Sequence, residues 1–271
     1  MKSLIIRGVT GIAFVGVLIA AMLYGSISFG ILFAVVSGLA VNEFCNLVHQ
    51  YKKTNFSTLL AIMGGMYLFF ILYAFTNMEL SKPITILVPY IGLCVYMFVR
   101  ELYRKEGSAL DNIAYFCLSQ AYAALPFAML NILATYGGTY NFVLPLAIFI
   151  FLWSNDTGAY FVGSAIGKHK MFERISPKKS WEGFVGGAVT AIIAGYVMSL
   201  YFDILSIWQW MLMAATVVAA GTLGDLIESC MKREMKIKDS GNILPGHGGI
   251  LDRLDSCILA TPCVVILLYL L

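Results

Sequence analysis

A chain of 271 residues that is 60% hydrophobic and only 12% charged, with a mean hydropathy of +0.83, is too apolar to be a soluble globular domain, where about a quarter of residues carry charge. Each bilayer span needs about 20 apolar residues to cross roughly 30 Å of hydrocarbon, so this length holds about nine spans joined by short loops and leaves no room for a separate soluble domain. The six cysteines, Cys45, Cys94, Cys117, Cys230, Cys257 and Cys263, form no CxxC pair; neither a zinc site nor a disulfide framework is signalled, and they read as small buried hydrophobes.

In chain order, Lys2 and Arg7 precede a first apolar run at about residues 8–24. Ala20-Ala21-Met22 is a poor cleavage site, so an uncleaved span is expected rather than a signal peptide. Further runs at about 27–47, 57–76, 83–99 and 112–135 complete an N-terminal half, 1–138, read as scaffold and lipid-facing surface. Runs at about 140–162, 183–202, 207–230 and 255–271 form a C-terminal catalytic region, 139–271, with charged loops at 163–182 and 231–254. The expected fold is therefore all-α and polytopic, with about nine transmembrane helices. With the N-terminus in the cytoplasm and the C-terminus outside, all but Lys82 of the 18 basic residues fall on inside loops, as the positive-inside rule requires. The resulting basic face suits anionic lipid headgroups and nucleotide phosphates; nucleic acid is not an expected partner.

Polar residues within the runs add a second regularity. Glu43, Asp156 and Asp225 lie near the inner ends of spans 2, 6 and 8, and Glu182, Asp252 and Asp255 at the inner starts of spans 7 and 9. At 1.5 Å rise per residue, Asp225 is within roughly 10 Å of its helix end, which places this carboxylate layer near the inner headgroups. A transporter would instead place coupling residues at the midplane between repeated halves, and no repeat is visible. In span 7, Gly183, Gly187, Ala191 and Gly195 recur every fourth residue and offer a face for close helix packing. Packing inside the bundle is the preferred reading, a second subunit the alternative. Trp208 and Trp210 suit an interfacial aromatic belt.

Two loops could carry chemistry. Lys168, Lys170, Arg174, Lys178 and Lys179 stand with Ser176 and Ser180 before span 7, where lysine charge and serine hydroxyls would meet phosphate oxygens; the plainer alternative is that these lysines only set topology. The stretch Ser229–Asp255 is harder to explain away. Asp252 and Asp255, three apart, share a face if the last helix begins before them, and two carboxylates there repel unless a cation is bound. Oxygen ligands suit Mg²⁺, Asp225 can reach the same site, and a second cation would complete a clamp on attacking and leaving oxygens. Gly246, Gly248 and Gly249 allow close backbone approach to phosphates. His247 is a candidate phosphate contact or ligand-orienting group, against the plain reading of a satisfied polar side chain.

The order Ser229, Lys232-Arg233, Lys238-Asp239, Gly241, Leu244-Pro245, His247-Gly248-Gly249, Asp252-Arg253, Asp255 resembles the signature of the phosphatidate cytidylyltransferases, the CDP-diacylglycerol synthases. Upstream pieces are similar too: Asn155-Asp156 through Gly163, Gly167-Lys168, Ser176-Pro177-Lys178-Lys179-Ser180 with Glu182-Gly183, and Gly224-Asp225 with Glu228-Ser229. The likeness runs over about residues 140–271. It implies that CTP and phosphatidic acid give CDP-diacylglycerol and pyrophosphate with Mg²⁺, in a homodimer of the bacterial inner membrane with the site on the cytoplasmic side. Implied metal ligands are Asp225, Asp252 and Asp255; implied catalytic cations are Lys232, Arg233 and Lys238. Asn155, Asp156, Ser176, Lys178, Lys179, Ser180, Ser229, Asp239, His247, Gly248, Gly249 and Arg253 would bind substrate. A CDP-archaeol synthase-like or polyprenol kinase-like enzyme is the near alternative, and a transporter the distant one.

Overall fold

The computed structural model describes residues 2–241, 243, 246 and 248–271, with side chains from residue 8 onward. The described residues are mainly helical, with a small hairpin, and the chain divides into two compact units. Among the described residues, seven helical segments are long and apolar enough to cross a membrane: Ser26–Lys52, Thr58–Asn77, Pro83–Leu102, Ala109–Ala134, Trp181–Tyr201, Ile207–Glu234 and Leu251–Leu270. They make the chain an integral membrane protein.

The first unit comprises residues up to Tyr140 together with Asp239–Arg253. It contains α1 (Lys2–Tyr24), α2 (Ser26–Lys52), α3 (Thr58–Asn77), α4 (Val88–Leu102), α5 (Ala109–Leu118) and α6 (Leu125–Ala134). Local chemistry sets the boundaries. Ser57 and Ser108 cap α3 and α5 by accepting from Leu60 N and Asp111 N, which satisfies helix N–H groups that have no partner inside the helix. A π-helical turn, Ser119–Ala124, separates α5 from α6. Pro126 lies just beyond it, and a proline deprives the preceding turn of a donor and crowds its carbonyl. The core is built on α2, which buries Phe29, Phe33, Val36, Ala40, Val41, Phe44 and Val48. The loops after α2 and α4 are stitched together: Asn112 donates to Glu101 at 2.8 Å and accepts from Asn55 N at 2.9 Å, while Arg104 pairs with Glu101.

The second unit comprises Asn141–Lys238 and Leu254–Leu271. It holds α7 (Val143–Ile166), a hairpin of β1 (Lys170–Phe172) and β2 (Ser176–Ser180), α8 (Trp181–Tyr201), α9 (Ile207–Glu234), and α10 (Leu251–Leu270) from Leu254 onward. The strands are antiparallel, pairing Lys170 with Ser180 and Phe172 with Ser176. This hairpin is an addition to the all-α expectation; β2 reads SPKKS, whose proline and lysines disfavour strands. α7 is 24 residues long but carries Ser154-Asn155-Asp156-Thr157 within it, which lowers its apolarity below that of the seven.

The every-fourth small residues of α8 are buried against neighbours in the same unit. Gly183 faces Ala159 and Gly163 of α7, Gly187 faces Asn155, and Gly195 faces Trp210 and Ala214 of α9. They serve packing within this chain. A Cβ at Gly187 would lie 2.7 Å from the Asn155 carbonyl oxygen, so Gly187→Leu is expected to cost about 3 kcal/mol through overpacking. Gly92→Leu, where a Cβ would have nothing within 4 Å, should melt like the parent protein in detergent. One expectation fails: Trp210 is fully buried and donates its indole N–H to Phe202 O at 3.1 Å, so it belongs to the core. Trp208, 77% exposed, keeps the position an interfacial belt requires. Of the cysteines, Cys45 and Cys257 are buried as expected, whereas Cys117 is exposed.

Candidate active site

In the second unit a cleft of about 380 Å³ opens between α7, the hairpin and α8. Asn155, Asp156, Tyr160 and Gly163 line it from α7, Met171, Lys178 and Lys179 from the hairpin, Ser180, Gly183 and Phe184 from the start of α8, and Thr222 from α9. Three devices shape it. Ser180 caps α8 by accepting from Gly183 N at 3.2 Å, which leaves its hydroxyl proton available to a ligand. Glu182 accepts the backbone N–H groups of Lys168 and His169 at 3.1 and 3.2 Å and pairs with the His169 ring, tying the hairpin to the first turn of α8. Asn155, 8% exposed, has an Oδ1 without a hydrogen-bond partner that is packed against Gly187 of α8.

Lys179 connects this cleft to a cluster of carboxylates. Its Nζ forms an ion pair with Asp225 on α9. Asp225 also accepts from Ser229 Oγ at 3.2 Å. Asp255 of α10 lies within hydrogen-bonding reach of Asp225 and of Glu228, and Glu228, 2% exposed, binds Lys232 Nζ at 2.7 Å. The close approach of α9 and α10 depends on Gly224, where a Cβ would sit 2.6 Å from Asp255 O. Three carboxyl groups thus share two ammonium groups. Glu228 was absent from the expected site, although its i+3 spacing from Asp225 puts both on one helix face. Arg233, on the next turn, donates to the backbone oxygens of Ile175 and Ile237 at 3.5 and 3.3 Å. Ser176 begins β2 away from the cleft lining, and Lys178 and Lys238 are exposed.

The first unit holds the remaining expected residues. Asp252 Oδ2 accepts from Ser240 N and Gly249 N, both at 2.8 Å. Gly248 has a φ of 87°, a left-handed value that favours glycine, and a Cβ there would lie 2.6 Å from Asp252 Oδ2. Gly249 is likewise pressed against Glu43 and Ser240. The two glycines therefore make room for carboxylates. Asp239 and Arg253 are exposed, and His247 lies outside the described residues. Among the described residues, no three acidic, histidine or cysteine side chains converge as ligands around one ion. The donor chemistry of Asp225, Glu228 and Asp255, all oxygen with an excess of one carboxyl over the lysines, nevertheless fits a hard divalent cation.

On apolar helices, then, a cleft lined by Lys178 and Lys179 is joined through Lys179 to clustered carboxylates. The model of the cytidylyltransferase family matches residues 5–271. The chain belongs to that family. A phosphatidate cytidylyltransferase of Bacillus subtilis is 33% identical over 271 residues, covering 97% of this chain and 96% of that protein. Those of Staphylococcus saprophyticus and Staphylococcus aureus are 44% and 43% identical over 170 residues, 62% of this family member and 63% of each relative.

Proposed function

We propose that this chain transfers the cytidylyl group of CTP to phosphatidic acid, forming CDP-diacylglycerol and pyrophosphate. The observation that carries the reading is Lys179, which both lines the cleft and binds Asp225, joining a phosphate-binding surface to a carboxylate cluster in a chain matched almost end to end by the family. The relatives' names supply the lipid phosphate as acceptor. An oxygen of that phosphate forms the new bond to the α-phosphorus of CTP as the bond to the β-phosphate breaks. The triphosphate would lie against Lys178, Lys179, the Ser180 hydroxyl and the positive N-terminal end of α8. Lys179, moved from Asp225 to a phosphate oxygen, would neutralise charge on departing pyrophosphate together with Lys232, Arg233 and Lys238. Asn155 and Asp156 would contact the nucleotide from the α7 wall of the cleft.

Asp225 and Asp255, with Asp252, would hold Mg²⁺, and a second cation is compatible with the same carboxylates. Bound there, the metal would polarise the reacting phosphate oxygens. In this reading α1 and α7 also cross the bilayer, making nine spans. The basic loops then face the cytoplasm of a bacterial cell and the C-terminus faces out. A homodimer would use a surface other than the small-residue face of α8.

The test is synthesis by purified protein from CTP and phosphatidic acid with Mg²⁺ titrated in. CDP-lipid and pyrophosphate should appear in equal amounts and vanish with EDTA. No CDP-lipid at any Mg²⁺ concentration overturns the proposal, and turnover of an isoprenoid phosphate in preference to phosphatidic acid would reassign the acceptor.

A further inference from the structure

Glu43 lies in α2, more than a hundred residues before the cleft, and is 3% exposed. A carboxylate is rarely buried unless its oxygens are occupied, because leaving water must be offset by hydrogen bonds or opposite charge. Glu43 meets this condition entirely within the first unit. Its Oε1 accepts Ile250 N at 2.9 Å, and its Oε2 accepts Leu251 N at 2.9 Å and the Ser240 hydroxyl at 3.4 Å. The first two are N–H groups at the start of α10, which have no acceptor inside their own helix. Glu43 therefore caps α10 from a different helix, and the positive end of α10 favours the negative group placed against it. The fit is close on every side: a Cβ at Gly241 would come 2.6 Å from Glu43 Oε1, and one at Gly249 would strike Oε2.

Ser240 and Gly249, which flank Glu43, are also the residues whose backbone N–H groups hold Asp252 Oδ2. One buried carboxylate thus clamps both ends of the loop that orients another. We propose that Glu43 is a positioning residue for the transfer reaction, acting through the 240–251 loop and the first turn of α10 to fix Asp252. This rests on the reading of Asp252 as part of the metal-dependent site. Groups that orient a ligating carboxylate typically change metal affinity or activity by about 10- to 100-fold when altered.

The test compares full-length E43Q with the parent protein and with D252N. The amide side chain of E43Q would keep one acceptor oxygen but present an NH₂ group to an N–H donor, so the amides of Ile250 and Leu251 should exchange with deuterium at least about tenfold faster. The Mg²⁺ concentration for half-maximal activity, and for half-maximal thermal stabilisation without substrate, should rise about tenfold, while KM for phosphatidic acid changes less than about twofold. E43D, which retains both oxygens, should restore part of the Mg²⁺ response. Unchanged Mg²⁺ midpoints in a folded E43Q protein whose loop amides exchange faster would overturn the proposal. If E43Q does not fold, S240A takes its place, and a parent-like Mg²⁺ midpoint there also overturns it. A D252N enzyme with parent activity would instead reject the role of Asp252, a distinct outcome.

Discussion

Asp255→Asn is expected to lower kcat by about 1,000-fold, ~4 kcal/mol of transition-state stabilisation at 1.36 kcal/mol per tenfold, and at the same time to raise the thermal stability of the protein. The two signs come from one cluster. Asp255 faces Asp225 and Glu228, and these three carboxyls share the ammonium groups of Lys179 and Lys232. Converting one of them to an amide leaves two carboxyls facing the two lysines and lets the new NH₂ donate to its acidic neighbours, a gain of about 1 kcal/mol of the size that repairing a local conflict commonly brings. The same change removes a proposed oxygen ligand. Melting and turnover measured on one detergent preparation check both halves. A variant that loses stability together with activity would show that Asp255 holds α9 and α10 together, and a variant that keeps its activity would remove it from the site.

Lys179→Ala is expected to lower kcat/KM for CTP by about 100-fold, in the range found when one electrostatic donor is taken from a developing anion. Lys179 is shared by the cleft and the carboxylate cluster, so its loss separates the two functions: phosphate neutralisation fails, and Asp225 loses its ammonium partner while keeping Ser229 and Asp255. Lys179→Arg should recover only part of the rate, since a planar guanidinium on a longer stem does not replace a compact ammonium that must exchange partners. Lys170→Ala, on the exposed side of the hairpin, should leave kcat/KM unchanged. Equal losses at Lys170 and Lys179 would mean that the loop acts through net charge alone.

Each apolar run read from the sequence is helical over most of its length, because hydrophobic length is a strong signal in a bilayer. The helix ends were less legible. α2 runs to Lys52 and α9 to Glu234, and α10 starts at Leu251, four residues earlier than its apolar run suggested, since Asp252 and Asp255 interrupt the apolar pattern but not the helix. The pairing of Asp225 with Asp255 was accessible from spacing and charge. Glu228 could have been found by its i+3 relation to Asp225. The hairpin and the role of Glu43 could not, because β2 pairs against its own propensities and Glu43 finds its partners about two hundred residues later. Gly248 and Gly249 show the same limit: their need for space is evident from sequence, but the groups that fill it, Asp252 and Glu43, are set by tertiary structure.

The cap that Glu43 places on α10 also bears on how the protein is made. Glu43 and Ile250 are 207 positions apart, so at roughly 5–20 residues per second about 10–40 s pass between synthesis of the acceptor and of its donors. During that interval α2 sits in the membrane with a carboxylate whose final partners do not yet exist, a costly state that calls for water or a temporary partner near the bilayer surface. The loop that holds Asp252 can set only once the first turn of the last helix has been made, so the site is completed near the end of synthesis.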